Sequence, residues 1–266
     1  MVRRELASGK LVLDEPRPGV SRITVNNADK RGMLDREILD ALAGTLPTLT
    51  SQCLVLTGEG SHFSAGYDIE ALHEQPPAGA AEGLVAHPSN AALEAIERYP
   101  YPVIAALNGH TFGGGLELAM ACDLRVASRA ATLAMTPGKL GLVYSHTGLR
   151  RFLDVCGLAN TNEMFFLATP VDADRAREMG LVNRVVDADE LETAALSIAE
   201  QISATAPLAL SGNKQAIRTI RAEMSRLPGD VERDLVDLTA ARVASADFAE
   251  AQKAFVKKRP PTWKGR

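Results

Sequence analysis

The sequence has few cysteines, no excess of positive charge and no long apolar run. Its 266 residues include only 3 cysteines, and Cys53 and Cys122 lie in apolar segments, so neither a disulfide framework nor a metal site is indicated. The formal net charge of −4 argues against nucleic acid as the main partner. No apolar run approaches membrane-spanning length, and the residues after Met1 lack the apolar core of a secretory signal. We therefore expect a cytoplasmic protein that binds neither membrane nor nucleic acid.

The composition is that of a folded protein with a full core. Of its residues, 46% are hydrophobic and 23% are charged, which fits one domain with an appendage. Strand-like apolar runs alternate with helical patterns, and this alternation predicts an α/β fold with right-handed crossovers. The predicted strands are residues 20–25, 53–57, 103–107, 124–127 and 182–186, and the predicted helices are residues 35–46, 90–98, 115–122 and 172–179.

Strand signals stop beyond about residue 191. Helical patterns with apolar faces then cover residues 191–204, 207–224 and 229–244. Exposed apolar helix faces are typical of assembly surfaces. We therefore predict a core in residues 1–190 and a helical oligomerisation region in residues 191–266.

Two glycine-bearing segments each follow a predicted strand: residues 61–69 (SHFSAGYDI) and 108–118 (NGHTFGGGLEL). The second continues into a helix that is apolar nearly all round. The first turn of a helix leaves N–H donors unpaired, and the helix dipole favours negative charge there. Tight packing and a phosphate-binding loop are the alternatives, although the glycine spacing of nucleotide-binding loops is missing. If both segments bring an N–H group to one point, they form an oxyanion hole.

Both segments resemble those of the crotonase superfamily, which has the enoyl-CoA hydratase/isomerase fold, and the resemblance covers almost the whole chain. Further matches follow in order and at the family's spacing, in residues 25–35, 122–127, 140–141, 151–152, 176–183 and 255–259. The resemblance implies a ββα spiral core and a C-terminal helical region that builds homotrimers, often paired into hexamers. It also implies an acyl-CoA thioester as the substrate, with coenzyme A as part of that substrate and no other cofactor.

The resemblance places the two oxyanion donors at the backbone N–H groups of Tyr67 and Gly114. Two fixed donors stabilise the negative charge that develops on a thioester oxygen. Glu117 lies where the family has a catalytic glutamate, and its apolar neighbours favour an acid/base role. The alternative is a structural carboxylate in the first turn of a helix, where the helix dipole favours it.

The sequence departs from the hydratases at Pro137, which occupies the position of their second catalytic glutamate. Proline neither gives nor accepts a proton, so the usual two-glutamate mechanism is not available. Tyr144 and His146 in the following loop can move protons, and Ser145 lies where some isomerase-type relatives have an aspartate. Each of these three residues also has a structural alternative.

Basic residues near both ends of the chain suggest contacts with coenzyme A. Lys30 and Arg31 lie where relatives have basic residues near the nucleotide, and Lys257, Lys258 and Arg259 are placed to reach a phosphate of the same or a neighbouring subunit. A solvated surface charge is the alternative for each. The predicted substrate-binding residues are Lys30, Ala65, Gly66, Tyr67, Asp68, Ile69, Gly113, Gly114, Pro137, Tyr144 and His146.

Three functions remain open. An enoyl-CoA hydratase, a lyase with Glu117 as the acid/base, is our prediction. An enoyl-CoA isomerase needs only one carboxylate to move a proton between carbons, and a catalytically weak acyl-CoA-binding homologue is the third reading. Glu117 favours the two enzymes, whereas Pro137 favours the third.

Overall fold

A large, mostly parallel sheet lies at the centre of the computed structural model, which describes residues 3–68, 87–257 and 259–265. Within those residues the sheet has seven strands in the order β1-β2-β3-β4-β6-β8-β11. Strands β1 to β3 are antiparallel, and the others run parallel to β3. The strands are β1 Arg4–Leu6, β2 Leu11–Arg17, β3 Val20–Val25, β4 Cys53–Gly58, β6 Val103–Leu107, β8 Leu124–Ser128 and β11 Arg184–Val186. The continuous apolar sequences of β4 and β6 are typical of parallel strands covered on both faces.

A small second sheet carries the two glycine segments. Its strands are β5 His62–Ser64, β7 His110–Phe112, β9 Thr132–Ala134 and β10 Val171–Asp172. Among the described residues their order is β10-β9-β7-β5, and β5, β7 and β9 are parallel. Because Gly66 and Gly113 follow the carboxyl ends of β5 and β7, these parallel strands bring both segments to one edge of the small sheet.

Several helices begin at residues whose side chains cap the first turn. Asp35 caps α1 by accepting a hydrogen bond from the N–H of Ile38 at 3.0 Å, and Asp172 caps α5 by accepting one from the N–H of Arg175 at 2.8 Å. Helix α4 is broken at Gly157, which has φ +72°. The helices are α1 Arg36–Thr45, α2 His87–Arg98, α3 Gly114–Ala121, α4 His146–Asn162, α5 Ala173–Glu178, α6 Leu191–Ser203, α7 Pro207–Met224, α8 Gly229–Val243 and α9 Ala246–Val256.

Each face of the large sheet packs against a different set of helices. Side chains alternate along a strand, so Leu54 and Leu56 of β4 belong to one core cluster while Cys53 and Val55 belong to the other. The first cluster includes α1, α2, α3 and part of α4, and the second is closed by α6. Helix α3, which carries Glu117, therefore lies on the face of the sheet that packs against the larger of the two clusters.

Helix α7 is attached to this core through charges rather than apolar contacts. Lys214 pairs with Asp123 at 2.7 Å, and Arg221 pairs with Asp154 at 2.7 Å. No residue of α7 is buried, and its apolar side chains face outward: Leu208, Ile217, Ile220 and Met224 are all more than half exposed. The role of residues 191–266 as an oligomerisation region stays a prediction.

The α/β fold class is confirmed, and the predicted strands correspond to β3, β4, β6, β8 and β11. Strands β1 and β2, the short strands of the small sheet, and helices α4 and α9 were not predicted. Helix α6 also differs from expectation, because its apolar face is covered by the large sheet, whereas that of α7 is open. The division at residue 190 remains a prediction. None of the helices in the described residues is long and apolar enough to span a membrane.

Candidate active site

The two glycine segments touch each other at the edge of the small sheet. Gly66 has φ +101°, and a Cβ atom on it would lie 2.9 Å from the carbonyl oxygen of Phe112 and 3.1 Å from the backbone nitrogen of Gly114. Only glycine fits both the conformation and the space. From the other side, the N–H of Leu34 donates to the carbonyl oxygen of Gly66 at 2.8 Å. The peptide between Gly66 and Tyr67 is thereby held beside the first turn of α3.

Helix α3 presents its N-terminus to this contact. The N–H of Gly113, the N-cap residue, donates to the carbonyl oxygen of Ala134 at 2.9 Å. The N–H of Gly114 belongs to the first turn, where a helix offers no acceptor. The ring of Tyr67 lies so close to Gly114 that a Cβ atom there would overlap it. Backbone donors at a positive helix end can stabilise negative charge on a thioester oxygen.

Glu117 lies one turn further along α3 and is 3% exposed. Its Oε2 atom accepts hydrogen bonds from the hydroxyl of Tyr67 at 3.1 Å and from the hydroxyl of Tyr144. Its Oε1 atom accepts from Nη1 of Arg151 at 3.0 Å. Both carboxylate oxygens are therefore occupied by donors, and the charge of this buried group is compensated by a guanidinium.

Arg151 connects Glu117 to a second carboxylate. Its Nε atom donates to Oε1 of Glu97 on α2 at 2.9 Å, and its side chain is only 6% exposed. Burial alone would lower the pKa of Arg151, but the charges of Glu97 and Glu117 outweigh burial and raise that pKa above its ordinary value. Glu97 also lies 3.4 Å from Nη2 of Arg221 on α7. A row of alternating charges thus runs from α3 through α4 and α2 to α7.

The Tyr144 side chain is fixed by the start of α4. Ser145 is the N-cap of that helix and accepts a hydrogen bond from the N–H of Gly148 at 3.1 Å. A Cβ atom on Gly148 would lie 2.8 Å from Oε1 of Glu117 and would overlap the Tyr144 ring. Burial and the charge of Glu117 raise the pKa of Tyr144 well above its ordinary value. The phenol is therefore protonated at neutral pH and donates to Glu117.

Comparison with known families decides the classification. The model of the family described as Enoyl-CoA hydratase/isomerase matches residues 15–266. The chain belongs to the enoyl-CoA hydratase/isomerase family. The resemblance to the crotonase superfamily is thus confirmed, and with it an acyl-CoA enzyme family.

Proteins named for different activities are similar to this chain. Methylmalonyl-CoA decarboxylase of Escherichia coli (strain K12) is 32% identical over 251 residues, which are 92% of this chain and 95% of that protein. Carnitinyl-CoA dehydratase of Salmonella agona (strain SL483) is 37% identical over 216 residues, 80% of this chain and 81% of its own. A solved methylmalonyl-CoA decarboxylase in complex with 2-nitronate-propionyl-CoA has a TM-score of 0.88 at 30% identity, covering 97% of this chain and 99% of that chain.

A hydratase/isomerase structure of the family is slightly less similar in shape. The enoyl-CoA hydratase/isomerase from Pseudoalteromonas atlantica T6c has a TM-score of 0.83 at 27% identity, and the match covers 96% of this chain and all of that one.

Pro137 and the loop residues Tyr144, Ser145 and His146 were singled out in the sequence. Of these four residues, Tyr144 contacts Glu117. Pro137 is buried and begins a short turn, Pro137–Leu140. Ser145 serves as a helix cap, and Nε2 of His146 lies 3.9 Å from Oε1 of Glu232 on α8. Their predicted roles in substrate binding or proton transfer remain predictions.

The basic turn near the N-terminus packs against the first glycine segment. The carbonyl oxygen of Arg31 accepts a hydrogen bond from the N–H of Ala65 at 2.9 Å, and the N–H of Asp68 donates to the carbonyl oxygen of Leu34 at 3.3 Å. Lys30 and Arg31 are exposed. This places both cations at the rim of the candidate site, where coenzyme A contacts remain a prediction.

The basic C-terminal residues are arranged differently. Arg259 forms a two-point ion pair with Glu250, at 2.6 and 3.1 Å, and this pair lowers the pKa of Glu250 to about 2. Arg259 is thus engaged within its own chain, whereas Lys257 is exposed. Ile69, Lys258 and residues 74–86 lie outside the described residues.

Sequence reasoning missed Arg151 and Glu97 as members of this site. Each is a charged residue among the apolar positions of its helix: Phe152 and Cys156 are buried beside Arg151 in α4, and Leu93 and Ile96 beside Glu97 in α2. A charged residue among buried apolar positions was the signal in the sequence that could have indicated these two residues.

The described residues contain no group of three or more His, Cys, Asp or Glu that could hold a metal ion.

Proposed function

We propose that this protein decarboxylates a short 2-carboxyacyl-CoA thioester of the methylmalonyl-CoA type. The observation that supports this best is the occupancy of Glu117: both of its oxygens accept hydrogen bonds, from Arg151, Tyr67 and Tyr144. A hydratase needs carboxylates that hold and deprotonate water, and Pro137 stands in place of the second one. Decarboxylation needs an oxyanion hole and a proton donor.

In the proposed mechanism the thioester oxygen lies between the N–H groups of Tyr67 and Gly114. The bond between the α-carbon and the carboxylate breaks, CO2 leaves, and the electron pair moves into an enolate whose charge rests on the thioester oxygen. The two donors and the helix dipole stabilise that charge. The α-carbon then takes a proton, for which the hydroxyl of Tyr144 is the proposed donor, and solvent restores that proton.

Similarity to known decarboxylases also supports the proposal. The decarboxylase relatives match this chain over nearly its full length, in sequence and in shape. A protonated tyrosine that is hydrogen-bonded to a buried carboxylate is also suited to donating a proton to a strongly basic enolate. The substrate would be the acyl-CoA thioester alone, with no added cofactor.

Mass spectrometry of the products tests the proposal. Wild-type protein is incubated separately with methylmalonyl-CoA and crotonyl-CoA; we expect loss of CO2 from the first and no gain of water by the second. Tyr144→Phe removes one hydroxyl and should lower the decarboxylation rate about 100-fold while thioester binding persists. Hydration of crotonyl-CoA without any loss of CO2 from methylmalonyl-CoA would contradict the proposal.

Hydration or dehydration of an acyl-CoA is the second candidate. It is favoured by the similarity to the carnitinyl-CoA dehydratases and by Glu117 itself, a buried carboxylate beside the oxyanion donors. If it is correct, Pro137→Glu should raise the hydration rate of crotonyl-CoA by restoring a second carboxylate. No gain in a variant with a normal circular dichroism spectrum would count against hydration.

We further propose that the protein assembles as a homotrimer or as a pair of trimers. The supporting observation is the outward apolar face of α7, where Leu208 is 88% and Met224 is 83% exposed. Exposed apolar faces of this kind are typical of protein interfaces.

A further inference from the structure

Arg151 joins two carboxylates that come from different helices. Nε faces Glu97 of α2 at 2.9 Å and Nη1 faces Glu117 of α3 at 3.0 Å, so the two edges of one planar guanidinium fix two groups at once. A lysine has a single charged nitrogen and lacks this forked geometry. Because Oε1 of Glu117 is taken by Arg151, its Oε2 atom is the one turned to the two tyrosine hydroxyls.

The two carboxylates differ in what they would retain without Arg151. Glu97 would still face Arg221 at 3.4 Å, and the guanidinium of Arg218 donates to its carbonyl oxygen at 3.0 Å. For Glu117, Arg151 is the one cation within ion-pair distance among the described residues. A buried carboxylate without a counter-charge takes up a proton more readily.

No other charged group on the neighbouring elements replaces Arg151 in the described part of the chain. The titratable groups that face Glu117 are Tyr67 and Tyr144, both phenols. His146 faces Glu232 of α8, and Asp154 of α4 faces Arg221. The charge of the Glu117 carboxylate and its orientation therefore depend on the side chain of Arg151.

We propose that Arg151 is a positioning residue, which keeps Glu117 ionised and turned toward both tyrosine hydroxyls, and that Glu97 orients Arg151 from the opposite side. The kinetic part of this inference rests on the proposed function. The part that concerns the charge of Glu117 does not, because it is measured without substrate.

The first test follows stability against pH. Urea unfolding is measured for wild type and Arg151→Met from about pH 5 to about pH 8 at one protein concentration. In the variant Glu117 binds a proton on folding, so the stability deficit relative to wild type should grow as the pH rises, by up to about tenfold per pH unit in the folding equilibrium constant. Adding Glu117→Gln to the variant should remove this slope, whereas adding Glu97→Gln should leave it. A deficit that does not change with pH would overturn the proposal.

The second test is kinetic. Arg151→Met should lower kcat about 100-fold with little change in KM, because a small misplacement of reacting groups is costly, and a new loss of activity should appear on the acidic side of the pH profile. Arg151→Lys keeps a cation and should fold normally, with intermediate kcat and no new acidic loss. Wild-type kcat in Arg151→Lys would overturn the role of the fork, even if Arg151→Met proves insoluble.

The control is Arg150→Met. Arg150 is the adjacent residue of α4 and makes no ion pair within the described residues. The Arg150→Met substitution should leave kcat, KM and the pH dependence of stability unchanged. If wild type fails to release CO2 from methylmalonyl-CoA, the proposed function fails, while the pH slope of the urea measurements still decides the role of Arg151.

Discussion

Helices α3 and α7 meet the rest of the molecule in opposite ways. All eight residues of α3 are buried, and its single charge, Glu117, is paired inside the protein. None of the 18 residues of α7 is buried, and its inner side is attached by the cations Lys214 and Arg221. The position of α3 is therefore determined by this chain alone, whereas the outer face of α7 is complete only in the proposed assembly. The comparison separates residues that should control turnover from residues that should control association.

The largest effect on turnover is expected at the charge inside α3. Glu117→Gln keeps the size of the side chain but removes the anion that accepts from both tyrosines, so kcat should fall about 1000-fold. Acyl-CoA binding, measured by isothermal titration calorimetry, should remain close to wild type because the oxyanion donors are backbone groups. Wild-type kcat would refute any role of Glu117 in the chemistry, whether as acid/base or as acceptor for Tyr144.

A pair of glycine substitutions sharpens the contrast between the helices. A Cβ atom at Gly114 in α3 would overlap the ring of Tyr67, whereas one at Gly212 in α7 would meet no atom within 4 Å. Gly114→Ala should lower kcat/KM about 100-fold and cost about 1–3 kcal/mol of stability. Gly212→Ala should leave activity unchanged and add up to about 1 kcal/mol through helix propensity. Thermal unfolding and steady-state kinetics measure both, and equal effects in the two helices would break the comparison.

The sequence was sufficient for the parts that depend on local pattern. Apolar runs located five of the seven strands of the large sheet, and the buried helix predicted around Glu117 corresponds to α3. It was not sufficient for the partners of Glu117, because Arg151 and Glu97 approach it only after α2, α3 and α4 have packed together. The small sheet was missed because its strands have three residues or fewer, too short for a period-two pattern. Helix α4 was hidden by the glycines at positions 148 and 157, which suggest a loop.

Substitutions on α7 should affect turnover less than those on α3, but they should clearly lower the mass of the assembly. Replacing both Ile217 and Met224 with serine removes apolar groups worth about 1.5–3 kcal/mol each when buried, so subunit dissociation should be favoured by roughly 100-fold or more. Light scattering at micromolar concentration should show smaller particles. Gln215→Ser, a polar change on the same helix, is the matched control and should keep the wild-type mass. A wild-type protein that is already monomeric and fully active would contradict the proposed assembly.

The smallest effect of the α7 substitutions is expected at the cysteines, where the rate of labelling should not change. Burial raises the pKa of Cys53 and of Cys122 to about 12, so both thiols should stay protonated and react slowly with iodoacetamide at about pH 8. Both thiols are buried by residues of their own chain, because Cys122 follows directly on α3 and Cys53 lies in β4. The doubly substituted α7 variant should therefore label as slowly as wild type, as measured by peptide mass spectrometry. All 3 cysteines should label in urea, which is the positive control. Faster labelling of Cys122 in the native variant would mean that association at α7 protects the active-site helix, and that the two helices are not independent.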